Sequence, residues 1–406
     1  MTHPKMHHTY IGIDSHKDTH TAVFLDCFFE KLGEYTFGNS ASDFEGFLND
    51  AQKLLLDNTT FLFGMEDSSK YGRALAMFLT ANGQTVKHVN AYLVAGERKN
   101  LKMEKTDSGD AECTARLLIS LFGKLPDADH DEAYHILRTL VVHRDFLTRG
   151  NIALKMYLHS LLTIDFPNYH KFFASLDSKS SMAFFTKYPS PDKLADTTAE
   201  ALAHFLWEHS SGVLQMKRAM EILETIDKTN IPSKTHEIRN MIVLATIRQL
   251  QYNMNELESI EADLAIVYKS FNVTLTSISG LDIVSASQLL SCIGDIRKFS
   301  TPAKLARYAG IAPVSHASGK KDMRFANQRG NRELNSIIYN LAVRLTIVYK
   351  GGKMQNPFMY GYYQRKISEG KTKRQALKCV QRRLVNIIWT MLSKGEDYVN
   401  PPLLKV

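Results

Sequence analysis

The chain has 406 residues, of which 44% are apolar and 23% charged, with a formal net charge of +8. Two to three domains are expected at that length, and the composition is that of a globular chain rather than a disordered one. No run reaches the roughly eighteen apolar residues of a membrane span, the N-terminus lacks an apolar signal core, and Cys27, Cys113, Cys292 and Cys379 are too scattered for a zinc pair or a disulfide framework. A cytoplasmic protein with reduced thiols and no membrane partner is the expectation.

Residues 9–26 read as a hairpin. The run Tyr10-Ile11-Gly12-Ile13-Asp14, a polar turn at Ser15-His16-Lys17-Asp18 and the run 21–26 place β-branched and aromatic residues on either side of a turn. A third strand is predicted over 34–37 and a helix over 42–56, with Phe44, Phe47, Leu48 and Ala51 on one face. Then come strand 60–65, helix 71–81, a turn at Asn82-Gly83, strand 84–89 and a short helix from Ala91. This order, β-β-β-α-β-α-β-α, predicts an α/β domain with a mixed sheet over 1–125. An RNase H-like fold has the same order and gathers its acids at strand ends and on one late helix.

From 126 to 270 the pattern is mainly helical, with long helices over about 131–163 and 236–269. In the second, Val243, Ile247, Leu250, Met254, Leu257, Leu264 and Tyr268 follow a 4-3-4-3 spacing broken once, at Glu261. An intramolecular helical hairpin and a dimerising coiled coil both explain that seam. The third region, 271–406, opens with Ser279-Gly280-Leu281-Asp282 before a small-residue helix. A glycine turn at a helix N-terminus suits backbone phosphate, but Asp282 is negative, and a structural helix turn explains it equally. Charge is concentrated further on: residues 318–383 hold sixteen Lys and Arg against three acids, an excess of +13, so the rest of the chain nets −5. Such a segment is the electrostatic footprint of a nucleic-acid binder. Tyr339, Tyr360, Tyr362 and Tyr363 lie within it, placed either to stack on bases or to pack.

Two constellations carry chemistry. Asp14 and Glu66 end strand-like runs, while Asp107 and Asp110 lie three residues apart where a helix begins. Each acid has an ordinary explanation, capping of the helix by Asp107 among them. Together they suit divalent ions, which prefer oxygen ligands and can clamp a phosphodiester during in-line displacement. The second is Ala309–Lys321, where Ser318 precedes Gly319 in a loop near cations, Ser315 competes as nucleophile and His316 is a candidate base.

These residues bring a family into view. The chain resembles the DEDD transposases of the insertion-sequence 110/1111 group, relatives of the Piv/MooV DNA invertases. The resemblance lies in Gly12–Asp18, Glu66 with Tyr71-Gly72, Lys105–Ala111, Leu137-Arg138 through Arg144, Leu154-Lys155, Leu158-His159, Phe299, Lys304–Ala306, Tyr308–Pro313, Ser318–Lys320, Arg329–Asn331 and Gly370-Lys371. It implies an RNase H-like (RuvC-like) N-terminal domain, a helical coiled-coil middle region and a mainly helical C-terminal transposase domain. Asp14, Glu66, Asp107 and Asp110 would be the metal ligands, for Mg²⁺ with Mn²⁺ as the alternative. Ser318 matches the family's nucleophilic serine, and Lys320, Lys321, Arg324, Arg329, Arg332, Lys371, Lys373 and Arg374 would hold nucleic acid. The activity implied is site-specific DNA recombination on double-stranded DNA, at element ends and target, guided by a structured RNA that pairs with both. A homo-oligomer, dimer or tetramer, would act at the nucleoid of a bacterial or archaeal cytoplasm. The rival reading is a metal-dependent Holliday-junction resolvase or nuclease that uses water alone.

Overall fold

The computed structural model describes residues 3–66, 70–128, 132–229, 236–318, 321–325, 327 and 330–399. The chain divides into two compact units, 1–135 and 136–406.

The first unit is built on a five-stranded mixed sheet. Strands β1 (His8–Ser15), β2 (Thr19–Leu25) and β3 (Lys31–Gly38) form an antiparallel meander, followed by α1 (Ala41–Ala51), β4 (Thr60–Met65), α2 (Arg73–Ala81), β5 (Thr85–His88), α3 (Ala91–Asn100) and α4 (Asp107–Ser120). The strand order is β3-β2-β1-β4-β5, with β1, β4 and β5 parallel. The elements expected from the sequence are present, with shifted ends: β3 is longer, and α1 gives way to a 3₁₀ turn at Gln52–Leu54 instead of running to 56.

Alternation along β1 sorts its side chains between two cores. Ile11 and Ile13 join Phe24, Phe44, Phe47, Phe63 and Leu79 on the side covered by α1 and α2. Tyr10 joins Val23, Leu62, Val94 and Leu118 on the side of α3 and α4. On that second face, Gly12 and Gly64 are register partners. A Cβ at Gly12 would come within 2.0 Å of the Ala111 carbonyl oxygen and 2.3 Å of the Ala115 nitrogen, and one at Gly64 within 2.9 Å of Leu118. This pair of glycines clears the sheet for α4 to lie against it.

The second unit is helical. Helices α5 (Glu132–Asp165), α6 (Lys179–Lys187), α7 (Ala199–His209), α8 (Met216–Thr229) and α9 (His236–Ser270) share an aromatic-rich core that includes Leu158, Phe166, Phe184, Leu206, Ile222, Val243, Ile247 and Leu250. The long helices α5 and α9 run antiparallel: Arg144 pairs with Glu261 at 2.7 Å, Gly150 lies beside Asn253, and Arg239 pairs with Asp165 at 2.8 Å. The one break in the heptad spacing, Glu261, is therefore an ion-pair site. Val243, Ile247, Leu250, Leu264 and Tyr268 are buried within the chain itself, so of the two explanations for the seam the intramolecular hairpin accounts for them.

The chain continues through α10 (Ile283–Ile293), α11 (Pro302–Tyr308), a two-stranded hairpin of β6 (Val314–Ser318) and β7 (Lys321–Phe325), then α12 (Arg332–Thr346), α13 (Pro357–Ser368) and α14 (Lys373–Lys394). Asp282 caps α10, accepting from the Ser285 amide at 2.7 Å, and pairs with Arg344 at 3.0 Å. The glycine turn is thus a structural helix start. Arg138 of α5 holds Glu333 of α12 through both guanidinium nitrogens, at 2.8 and 2.5 Å.

Candidate active site

Asp14 is the penultimate residue of β1 and shares the alternation of Tyr10 and Gly12, so it points to the α4 side of the sheet. Glu66 directly follows β4, whose Met65 is the register partner of Ile13. The two acids thus leave the carboxyl ends of neighbouring parallel strands. Residues 67–69 lie outside the described part of the chain.

The other two acids arrive on α4. Its N-cap is Thr106, which accepts from the Gly109 amide at 3.0 Å. Asp107 is therefore not the cap. It is the first helical residue, with its side chain 62% exposed. Asp110, one turn on, is buried and paired with Arg98 of α3. Between them Ser108 donates to Glu34 of β3 at 2.6 Å, which fixes the start of the helix.

His16 joins the strand end to the helix. Its Nε2 lies 3.2 Å from Asp14 Oδ2 and 3.2 Å from Asp107 Oδ1. The ligand atoms of Asp14, His16 and Asp107 all lie within 4.8 Å of one another. Burial pushes the Asp14 carboxyl up, and the charges of Asp107 and Asp110 add to that against the opposing pull of His16. Burial of His16 opposes its protonation, but Asp14 and Asp107 outweigh it and raise its pKa. Carboxylates crowded around one imidazole nitrogen are the electrostatic condition that a divalent ion relieves, so the donor set fits one.

Of the four acids, Asp14 and Asp107 are brought together through His16, Asp110 faces Arg98, and Glu66 sits one strand away. Sequence reasoning missed His16, which it read as part of a polar turn. The signal was available, since a residue two positions past a strand-end acid lies beside it when the hairpin turn is tight.

The serine lies in the other unit. Ser318 ends β6, its backbone paired with Lys321, and Ser315 pairs with Arg324. The expected loop is thus a short antiparallel hairpin, which also carries His316. Lys320 and Arg329 lie outside the described residues. Arg332 begins α12, Lys371 precedes α14, and Lys373 and Arg374 occupy its first turn behind a Thr372–Gln375 capping box. Arg332 and Lys371 line a groove of about 1910 Å³ together with Lys378, Arg382 and Arg383, which had not been singled out. Tyr362 is packed against Arg365 and Arg383, whose guanidinium carbons lie 5.1 and 4.6 Å from its ring centre.

Comparison with known proteins places these features in context. Residues 11–167 match a family model described as a transposase, and residues 272–358 match one for the transposases of the IS116/IS110/IS902 family. The 44.8 kDa protein of insertion element IS116 from Streptomyces clavuligerus is 25% identical over 404 residues, covering 97% of this chain and 96% of the relative. The pilin gene-inverting protein of Moraxella bovis is 30% identical over 129 residues, 30% of this chain and 37% of the relative. The transposase of insertion sequence element IS1111A from Coxiella burnetii is 24% identical over 123 residues, 30% of this chain and 33% of the relative.

Proposed function

The chain belongs to the transposase family of the IS110, IS116 and IS902 insertion elements, and from that premise we propose a site-specific DNA recombinase that pairs a metal-binding acidic site with a serine nucleophile. The strand order β3-β2-β1-β4-β5 supports reading the N-terminal part, 1–125, as an RNase H-like, RuvC-like domain. The remaining chain is then a helical region, 126–270, and a serine-bearing, basic region, 271–406. The observation that carries the reading is the approach of Asp14 and Asp107 at the end of β1, where α4 crosses the paired glycines.

Asp14, Glu66, Asp107 and Asp110 would hold Mg²⁺ or Mn²⁺. Such an ion supplies charge stabilisation for a phosphodiester and orients its oxygens. For Asp110 to contribute, Arg98 must release it, leaving its guanidinium free to face a phosphate. Ser318 acts as the attacking group: its oxygen bonds to phosphorus as the strand's bridging oxygen leaves, conserving bond energy for rejoining. Arg332, Lys371, Lys373 and Arg374 hold the backbone of double-stranded DNA or of a structured guide RNA, and Lys320, Lys321, Arg324 and Arg329, which neighbour Ser318 in the sequence, are proposed to share that role. The protein acts as a homo-oligomer.

A hydrolytic nuclease built from the same acids would need no serine, and the protein–DNA adduct separates the two. Ser318→Ala should abolish both strand exchange and the covalent adduct on denaturing gels of labelled DNA, with DNA and metal binding retained. Ser315→Ala should keep both. Wild-type cleavage by Ser318→Ala with no adduct in either protein would make this a water-using nuclease.

A further inference from the structure

We propose that His16 is itself a metal ligand, and that its nitrogen tunes this site toward Mn²⁺ over Mg²⁺. The inference rests on the metal reading above and concerns the one residue of the cluster that is not an acid.

His16 sits in the two-stranded turn between β1 and β2, and the backbone of that turn is held: the His16 amide donates to the Thr19 carbonyl at 3.0 Å. From there the ring reaches back over the strand end so that one nitrogen, Nε2, faces both Asp14 and Asp107 at 3.2 Å. Those distances are long for charge-assisted hydrogen bonds, which run to about 2.7–2.9 Å. Three ligand atoms from three residues within 4.8 Å of one another leave a central position that one cation can share. A divalent ion there would face the Nε2 lone pair of His16 together with one oxygen each from Asp14 and Asp107.

The consequence for metal choice follows from ligand type. Mg²⁺ takes oxygen ligands in a strict octahedron and gains little from imidazole, whereas affinity for N-containing sites rises along the first-row metals. An all-carboxylate site discriminates weakly between Mg²⁺ and Mn²⁺. Adding one imidazole favours Mn²⁺. The ring is half exposed, so it can be replaced without opening a core cavity.

The test uses the full chain at pH 8 with Mn²⁺ and Mg²⁺ as the probes, in wild type, His16→Ala, His16→Gln and Asp14→Ala. Pulsed electron paramagnetic resonance of bound Mn²⁺ should show coupling to a directly coordinated nitrogen in wild type and none in either His16 variant. Calorimetry should show Mn²⁺ affinity falling about tenfold in both His16 variants while Mg²⁺ affinity changes far less. Bound Mn²⁺ without nitrogen coupling in wild type, or an equal fall for both ions, overturns the role of His16 while the acidic site stands. Mn²⁺ that binds Asp14→Ala as tightly as wild type removes the acidic site itself, and the inference with it.

Discussion

At the scale of single residues, Asp110 and Arg98 present the sharpest balance. Asp110 is buried on the inner side of α4, and the Arg98 guanidinium is its counter-charge. Removing one partner of a buried pair leaves the other charge desolvated and unpaired, which costs more than the pair contributes when intact. Arg98→Ala should therefore destabilise the metal-free protein by on the order of 3 kcal/mol. Added Mg²⁺ should return part of that loss, because the ion would supply the missing positive charge and binds only the folded state. Urea unfolding with and without Mg²⁺ measures both effects. An equal loss under the two conditions would mean that Arg98 and the ion do not share Asp110.

At the scale of elements, the site depends on how closely α4 lies on β1 and β4. Its backbone occupies the space where a Cβ at Gly12 would be. Gly12→Ala forces backbone apart rather than a flexible side chain, so the strain has nowhere inexpensive to go. A loss of about 1–3 kcal/mol in urea unfolding is expected. Metal binding should weaken as well, because a shift of α4 carries Asp107 away from Asp14. Wild-type stability and metal affinity in Gly12→Ala would show that α4 does not depend on that close approach. The α5–α9 hairpin shows a different control: five of its seven apolar seam residues are buried inside the chain, and Glu261, where the spacing breaks, pairs with Arg144.

At the scale of the whole molecule, the candidate metal ligands and the excess positive charge lie in different units. The acids gather in the first unit, while the excess of +13 lies in residues 318–383 of the second. Cations that bind a phosphate backbone release counterions, so each contributes to the salt dependence rather than to sequence preference. Replacing Lys371, Lys373 or Arg374 by Ala should weaken binding to unrelated double-stranded DNAs alike and lower the log–log salt slope by about one per residue. Binding isotherms across a salt series decide it, and an unchanged slope for all three would mark them as a solvated surface.

The order of the N-terminal elements was legible in the chain because alternation and turn residues are local signals: Tyr10–Asp14 announces a strand whatever surrounds it. The acids were equally legible as strand-end and helix-start residues. Partnership was not. Which explanation of the α9 seam holds depends on Leu158 and its neighbours, some 80 residues away, and the cap of α4 is Thr106 because the chain enters the helix one residue earlier than Asp107 alone suggests. His16 looked like turn punctuation until the hairpin folded it back onto Asp14 and the paired glycines brought Asp107 to its other side. Residue type and local period are written along the chain, but distances between segments far apart in it arise only when close packing brings their backbones together, and this site consists of such distances.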